Sequence, residues 1–304
     1  MGKISVYIIA YNQEDKIEAA LKSVQWADEI VVADSFSTDR TALIAKKYGA
    51  RVVQIPFKGF GDLRNRAIDA CSHEWIFSLD SDERCTPEAE NEIISILESH
   101  AKNDCLSSIE DNDSYPMNKN SGSLYDLYYV PRKNFFMGRW IQHSGYYPDY
   151  RQPQLFKKGT LVFKLDPVHE RYEIVSKKGA GYLKSPIHQI PYKNLEEMIA
   201  KKNRYSTLGA EKLIAEKCNS GIYGSGEKGT ALQILNVRAN ANKKNIDCSM
   251  STAVMHGFWS FARTYIIKLG FLDGWPGFVI ALGNFEETFY KYAKYYEKTC
   301  NIDA

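Results

Sequence analysis

The chain has 304 residues, 44% of them apolar and 25% charged, with a formal net charge of +2. That length suits one large domain, or a core domain with a smaller companion, and so small a charge argues against a nucleic-acid binder, which carries a pronounced basic excess. Six scattered cysteines (Cys71, Cys85, Cys105, Cys218, Cys248, Cys300) show no CxxC spacing, which speaks against a disulfide framework or zinc site and fits a reducing cytosol.

Ile4–Ile9 is an apolar run of strand character, too short and too soon followed by Tyr11-Asn12-Gln13-Glu14 for a signal peptide. Val6 stands where N-myristoylation after Gly2 requires Ser or Thr. Ile17, Ala20, Leu21 and Val24 then share one helical face. Glu29–Ala33 reads as a second strand, and Asp34-Ser35-Phe36-Ser37-Thr38-Asp39 as a loop that caps the next helix. Arg51–Ile55 is a third strand, Phe60–Cys71 a helix, and Trp75–Leu79 a fourth strand that stops at Asp80. Such alternation predicts a parallel sheet covered by helices, with ligands beyond the carboxyl ends of the strands. After a helix over Pro87–Ser99, residues 100–123 read as a variable loop rich in Asn, Asp and Ser. Short aromatic runs from Leu124 to about Leu183 look like mixed or antiparallel strands that complete the sheet.

From Lys193 the pattern is helical: Leu195–Cys218, a Gly-rich break at Gly221–Gly229, Ala231–Ala241, Thr252–Leu269 and Glu286–Glu297. The expected organisation is a 1–190 α/β domain (first half 1–99, loop 100–123, second half 124–190) and a 191–304 helical region for a membrane interface or dimerisation. No run reaches the ~18 uninterrupted apolar residues of a membrane span.

Asp80-Ser81-Asp82 carries the most chemistry. Two carboxylates separated by one residue can both reach a hard divalent cation, which prefers oxygen ligands and keeps waters or phosphate oxygens in its shell. Such a metal would neutralise a departing diphosphate. The motif alone also reads as a surface turn or helix cap; its place at a strand end favours the site. Asp34 is placed to bind a base or ribose, with N-capping as its alternative, whereas Ser37, Thr38 and Asp39 read mainly as caps. Tyr11 and Asn12, with Ala10 before them, are placed to stack on or bond the base. Arg64 or Arg66 could meet a diphosphate, with Asn65 beside them, and Gly59 and Gly61 would permit close backbone approach.

The ordered series ISVYIIAYNQE, VVADSFSTDRT, GFGDLRNRAIDA and WIFSLDSDER resembles family 2 glycosyltransferases of the GT-A fold. Later blocks, RKNFFMGRWIQHSGYYPDY (132–150), DPVHERY (166–172), YKNLEEMIAKKNRYSTLGAEKL (192–213) and HGFWSFARTYIIKLGFLDGWPGF (256–278), are similar to bacterial lipopolysaccharide inner-core β-1,4-glucosyltransferases. Gln154-Leu155-Phe156 departs from the Arg-Leu-Phe usual in relatives. The resemblance implies an α/β GT-A, Rossmann-like nucleotide-binding sheet with an antiparallel extension and a helical C-terminal region. It also implies a nucleotide-sugar donor, foremost UDP-glucose, with Mg2+ or Mn2+ held by Asp82 and Asp80, and inversion in one displacement. That reaction needs one carboxylate base on the acceptor hydroxyl; Asp149, among Tyr146, Tyr147 and Tyr150, is the first candidate and Glu170 the second, with His169 beside it.

The expected acceptor is a lipid-linked or lipopolysaccharide-type glycan, with the enzyme cytoplasmic at the inner face of the inner membrane. Charge supports this: residues 1–99 hold 11 Lys/Arg against 17 Asp/Glu, and residues 155–217 hold 13 against 7. Lys157, Lys158, Lys177, Lys178, Lys201, Lys202 and Arg204 are candidates to face an anionic surface, and the aromatic stretch Phe258–Trp275 has the composition of an interfacial helix. The rivals are the same donor chemistry on capsule, another lipid-linked oligosaccharide or a polypeptide; a sugar nucleotidyltransferase, against which the Tyr11–Glu14 turn counts for want of a Gly-rich loop; and a degenerate glycan-binding protein, which intact Asp80 and Asp82 disfavour.

Overall fold

Every residue of strand β1 (Ile4–Ala10) is buried, because the sheet is covered on both faces. Ile4, Val6, Ile8 and Ala10 join a core with α1 (Ile17–Lys22) and α4 (Pro87–Ser107), whereas Tyr7 and Ile9 pack with Leu63, Ala67 and Ile68 of α3 (Phe60–Ala70). The computed structural model describes residues 2–107, 124–165, 171–222 and 250–300, and the side chains of all these but 104–107, 216–222 and 300.

Parallel pairing joins β1 to β2 (Glu29–Asp34) and to β4 (Trp75–Asp80), and β2 to β3 (Arg51–Gln54). Helix α2 (Thr41–Lys47) links β2 to β3. The short strand β5 (Glu83–Arg84) follows β4, and β6 (Leu127–Tyr129), β7 (Arg132–Phe136) and β8 (Arg139–Ile141) follow α4. Strand β9 (Pro153–Lys157) pairs antiparallel with β4 and β6, and β12 (Gly181–Tyr182) adds in parallel to β6. The seven-stranded order is β12-β6-β9-β4-β1-β2-β3, a parallel-dominated sheet with the expected mixed extension. Strands β10 (Leu161–Phe163) and β11 (Tyr172–Ile174) form a hairpin pair, and β13 (Ile187–Gln189) joins β5 antiparallel and β7 in parallel.

The hairpin is keyed to α3. The side-chain amide of Asn65 donates to Phe163 O at 2.7 Å and accepts from Phe163 N at 2.9 Å, a full pairing with the backbone of β10. A Cβ on Gly61 would stand 2.1 Å from Lys164 O, so only glycine permits that approach.

The chain divides into two units, Met1–Phe135 with Tyr147–Pro191, and Phe136–Tyr146 with Tyr192–Ala304. In the second, α5 (Leu195–Ile222), α6 (Met250–Ala262) and α7 (Trp275–Cys300) pack together, with a π turn at Arg263–Ile267 and a 3-10 turn at Gly270–Asp273 between the last two. Phe136, Ile141, Met198, Val279 and Ile280 form its core.

Several boundaries differ from the sequence reading. Helix α4 runs to Ser107, past the expected loop start at residue 100, because buried His100 packs its ring on Trp75 and meets the Tyr128 hydroxyl. Helix α7 starts at Trp275 rather than Glu286. Pro276 and Gly277 lower its apparent propensity, yet proline is accommodated in a first turn, and a Cβ on Gly277 would lie 1.9 Å from Gly270 O. Lys202 does not face outward: its ammonium is buried between α5 and α7, on Asn284 Oδ1 (2.7 Å) and Glu287 Oε2 (3.0 Å). Lys157 pairs with Glu74, Lys178 with Asp126, and Lys158 donates to Asp69 O near the end of α3 and to Cys71 O just beyond it. The expected helix 231–241 lies outside the described residues, and so do Glu170 and His169. Cys71 and Cys85 are free and buried.

Candidate active site

Strand β4 buries its first five residues and delivers Asp80 to the carboxyl edge of the sheet, where the side chain is partly exposed. The turn beyond is tied from below by Glu83. Its carboxylate is wholly buried; Oε1 accepts from Arg132 Nε at 2.5 Å, and Oε2 accepts from Asp80 N and from Gln154 Nε2, both at 2.9 Å. Gln154 Nε2 also donates to Ser78 O at 3.1 Å. Burial pushes the Glu83 carboxyl up, and the Arg132 guanidinium opposes that shift. Glu83 thus supports the motif and does not open to it. Gln154, the departure from the usual Arg-Leu-Phe, lands on this carboxylate; here the positive charge comes from Arg132 and an amide stands beside it.

Arg64 is 2% exposed, and its Nη2 lies 3.0 and 3.2 Å from the two oxygens of Asp80 while Nη1 donates to Ser78 Oγ at 3.3 Å. Its guanidinium also sits over the Phe163 ring. The arginine expected at a diphosphate is instead held beneath Asp80 as its counter-charge. Asp82 accepts at Oδ1 from Gln189 Nε2 at 3.3 Å. The Asp82 carbonyl receives Ile190 N at 2.8 Å, which fixes the backbone of the motif at the edge of β13.

The protein supplies two hard oxygen donors here, one of them already paired with Arg64. That set fits a divalent cation whose remaining ligands are phosphate oxygens and water. Among the described residues, no group of three or more His, Cys, Asp or Glu side chains gathers to cage a metal by itself.

The loops after β1 and β2 are laced together. Asn12 N donates to Ser37 Oγ (2.8 Å), Asn12 Oδ1 accepts from Thr38 N (2.8 Å), and Gln13 N donates to Thr41 Oγ1 (2.7 Å). Ser81 Oγ donates to Gln13 Oε1 at 3.3 Å, which ties the β4 turn to the same rim. Tyr11 and Phe36 are left exposed on it, and Phe36 holds φ +60°, uncommon for a bulky residue. Asp34 is wholly buried: its oxygens accept from Ser37 Oγ, from Ser37 N at 3.0 Å and from Gln54 Nε2 at 3.0 Å. Ala10 O accepts from Ser35 N. The N-cap position of α2 is Arg40, without a side-chain cap; Asp39, Ser37 and Thr38 lie before it, and Asp39 Oδ1 accepts from Thr41 N at 2.9 Å while Ser37 and Thr38 bond Asn12. Asn65 faces β10 and not the rim.

Asp149 forms an isolated antiparallel bridge with Arg132, and its carboxylate lies 2.8 Å from Arg151 Nε. Arg132 thus touches both places: its backbone bridges Asp149, and its buried guanidinium pairs with Glu83, which accepts from Asp80 N on the floor of the turn. Around it Tyr129 and Tyr182 stack with ring centroids 5.1 Å apart, Tyr150 meets Tyr182 edge-on at 5.3 Å, and the Tyr129 and Tyr172 hydroxyls are 3.2 Å apart. Such faces suit a sugar ring. The sequence singles out Tyr146, Tyr147 and Tyr150, and it carries Glu83 at the end of the Asp80-Ser81-Asp82-Glu83 run without a role of its own. Arg132, Tyr129 and Tyr182 are distant in sequence, and only the strand pairing unites them.

Residues 5–180 match the glycosyl transferase family 2 profile, and the chain belongs to that family. Over 98 residues it is 42% identical to an uncharacterised glycosyltransferase of Rickettsia bellii, a match covering 32% of this chain and 33% of that protein. Over 221 residues it is 26% identical to the lipopolysaccharide core biosynthesis glycosyltransferase LpsC of Rhizobium meliloti, covering 69% of this chain and 72% of that one. Among solved structures it is similar to glucosyl-3-phosphoglycerate synthase from Mycobacterium tuberculosis, with 35% identity over 27% of this chain and 34% of that one and a TM-score of 0.26. An overlap that small carries no argument about donor or metal.

Proposed function

We propose that this family 2 glycosyltransferase moves a hexose, foremost glucose from UDP-glucose, onto a lipopolysaccharide inner-core or related surface glycan at the cytoplasmic face of the inner membrane. The observation that carries the reading is the linkage of Asp80 and Asp149 through one buried arginine: Arg132 bridges the backbone of Asp149 and pairs with Glu83, whose other oxygen accepts from Asp80 N. Similarity to LpsC over most of both chains supports a core-glycan acceptor. The 1–190 and 191–304 regions would then divide the labour between catalysis and attachment.

In this mechanism Asp149 takes the proton of the acceptor hydroxyl as that oxygen attacks the anomeric carbon. The bond to the diphosphate oxygen breaks as the new glycosidic bond forms, and the configuration inverts. Asp82, with Asp80, would hold Mg2+ or Mn2+, which supplies positive charge to the departing diphosphate. Arg64 fixes the orientation of Asp80, and Glu83 fixes its backbone amide. Tyr11 and Asn12 flank the nucleobase, with Ala10 and Asp34 behind them. Tyr129, Tyr150 and Tyr182 receive the acceptor sugar. Glu170 is the second candidate for the base.

The test is Asp149→Asn. Transfer should fall roughly 10²–10⁴-fold, while UDP-sugar still raises the melting temperature in the presence of metal. If Asp149→Asn stays active and Glu170→Gln is dead, the base is Glu170. A screen of UDP-, GDP- and TDP-sugars by thermal shift identifies the donor. The same donor chemistry on capsule, another lipid-linked oligosaccharide or a polypeptide is the alternative, separated by assays with each acceptor.

A further inference from the structure

Helix α6 and the turns after it are apolar on two sides. One side is internal: Ala253, Gly257 and Thr264 are buried, a Cβ on Gly257 would come within 3.0 Å of the Phe285 ring, and Thr264 Oγ1 accepts from Asn284 Nδ2 at 3.0 Å. The other side carries Met255, Trp259, Ile266 and Ile267 at helical spacing, and all four are exposed; Leu272 and Trp275 continue the exposed apolar series. Trp259 keeps 60% of its surface in solvent and Trp275 67%. Single exposed apolar residues are ordinary, but a series of this length marks an interaction surface.

Charge identifies the occupant. From Met250 to Phe285 the charged side chains are Arg263, Lys268 and Asp273. Asp273 is buried, and its carboxylate accepts from Gln142 N (3.0 Å), His143 N (3.1 Å) and Ser144 Oγ (3.0 Å), with the His143 ring 3.2 Å away. Arg263 and Lys268 are exposed. The charge this segment offers to solvent is therefore entirely positive, set among large apolar side chains. A second copy of the chain, docked about a two-fold axis, would bring this surface against itself and oppose basic groups to basic groups with no acid from the segment between them. An anionic bilayer satisfies both halves: acyl chains take Trp259, Ile266, Ile267 and Leu272, and headgroup phosphates take Arg263 and Lys268.

We propose that the exposed face running from Met255 to Trp275 docks this protein on an anionic lipid bilayer, with Trp259 and Trp275 at the headgroup level. The proposal deepens the reading above and rests on it only for the lipid-borne acceptor. Among the described residues no helix is long and apolar enough to cross a membrane, so the contact is interfacial.

Flotation of the full chain tests it, using vesicles of phosphatidylcholine alone and with about 30% phosphatidylglycerol. The protein should float with the anionic vesicles, less with the neutral ones, and binding should weaken with salt. The triple variant Trp259→Glu/Ile267→Glu/Leu272→Glu should lose at least about tenfold in binding, and Arg263→Gln about fivefold. Melting temperature and thermal stabilisation by UDP-sugar should stay at the parental level, since exposed side chains change stability little. A parent chain that ignores anionic vesicles, or a triple variant that binds them equally, overturns the proposal. So does sedimentation velocity that finds a dimer which the triple variant dissolves. Absence of UDP-sugar stabilisation in the parent chain would instead sink the transferase reading and leave the bilayer surface standing.

Discussion

Arg132 Nε and Glu83 Oε1 lie 2.5 Å apart, with the two side chains 2% and 1% exposed. The pair joins β7 to the short strand directly behind the Asp80 turn. A buried pair need not stabilise a fold by much, but removing one partner strands the other's charge. Arg132→Met should therefore cost about 3–5 kcal/mol in denaturant unfolding. Adding Glu83→Gln to it should recover a good part of that loss. A double variant as unstable as the sum of the singles would show that the charges are not coupled.

Arg64 sets up a different expectation, because it touches a motif carboxylate. Arg64→Lys keeps a positive charge but has no second nitrogen, so it cannot hold Asp80 and Ser78 with the fixed fork that Nη2 and Nη1 provide. The metal concentration needed for half-maximal activity should rise several-fold, with a smaller change in folding stability. Asp82→Asn should lower turnover on the order of a hundredfold. Titration of Mn2+ against initial rate separates the two, and an unchanged metal dependence in both variants would remove Asp80 and Asp82 from the metal site.

Tyr182, where the proposed acceptor would rest, stacks on Tyr129 yet stays largely exposed. Tyr182→Ala should raise the acceptor KM about threefold to tenfold, with donor KM unchanged. Equal changes in both constants would mean that the ring supports the sheet edge and not the sugar.

Glu29 links acid stability to the sheet's opposite end. Burial would raise its carboxyl, but hydrogen bonds from Arg51, Ser5 and Ser72 outweigh that and hold it at about 2, against an ordinary 4.5. A carboxyl lowered by folding contributes its full stability above the unfolded value and loses it as the folded value is approached. Stability should therefore decline between about pH 4.5 and pH 2. Glu29→Gln should be less stable at pH 7 and should flatten the curve in that window. A parallel pair of pH curves would refute the assignment.

Much of the sheet is readable in sequence because β1, β2 and β4 are buried on both faces, so their residues are mainly apolar, broken only by Ser5 and Ser78, and the runs end at polar residues. The turn of Asp80-Ser81-Asp82 is legible for the same reason: Asp80 is where the buried run stops. What no local pattern reveals is which residue answers which. Glu83 and Arg132 are 49 positions apart, and their pairing follows only from β13 lying between β5 and β7. Arg64 looks like an open helical arginine until β4 sets Asp80 above it. Asp34 ends its strand as expected, but its burial and its bonds to Ser37 and Gln54 depend on how the loop folds back. Helix α7 is half hidden in the sequence because Gly277 and Gly283 answer to neighbours, Gly270 O and Lys202, that sequence does not place.

In chimeras that join the early strands of one relative to the later strands of another, the contacts of α3 limit where the chain can be cut. A crossover placed in the region 100–123 would separate Gly61 and Asn65 from Lys164 and Phe163. A graft from a parent with any side chain at position 61 would drive a Cβ into the Lys164 carbonyl, and one without Asn65 would strand the amide and carbonyl of Phe163. Recombinants should therefore take 60–70 and 161–174 from the same parent, whatever donor strands they inherit.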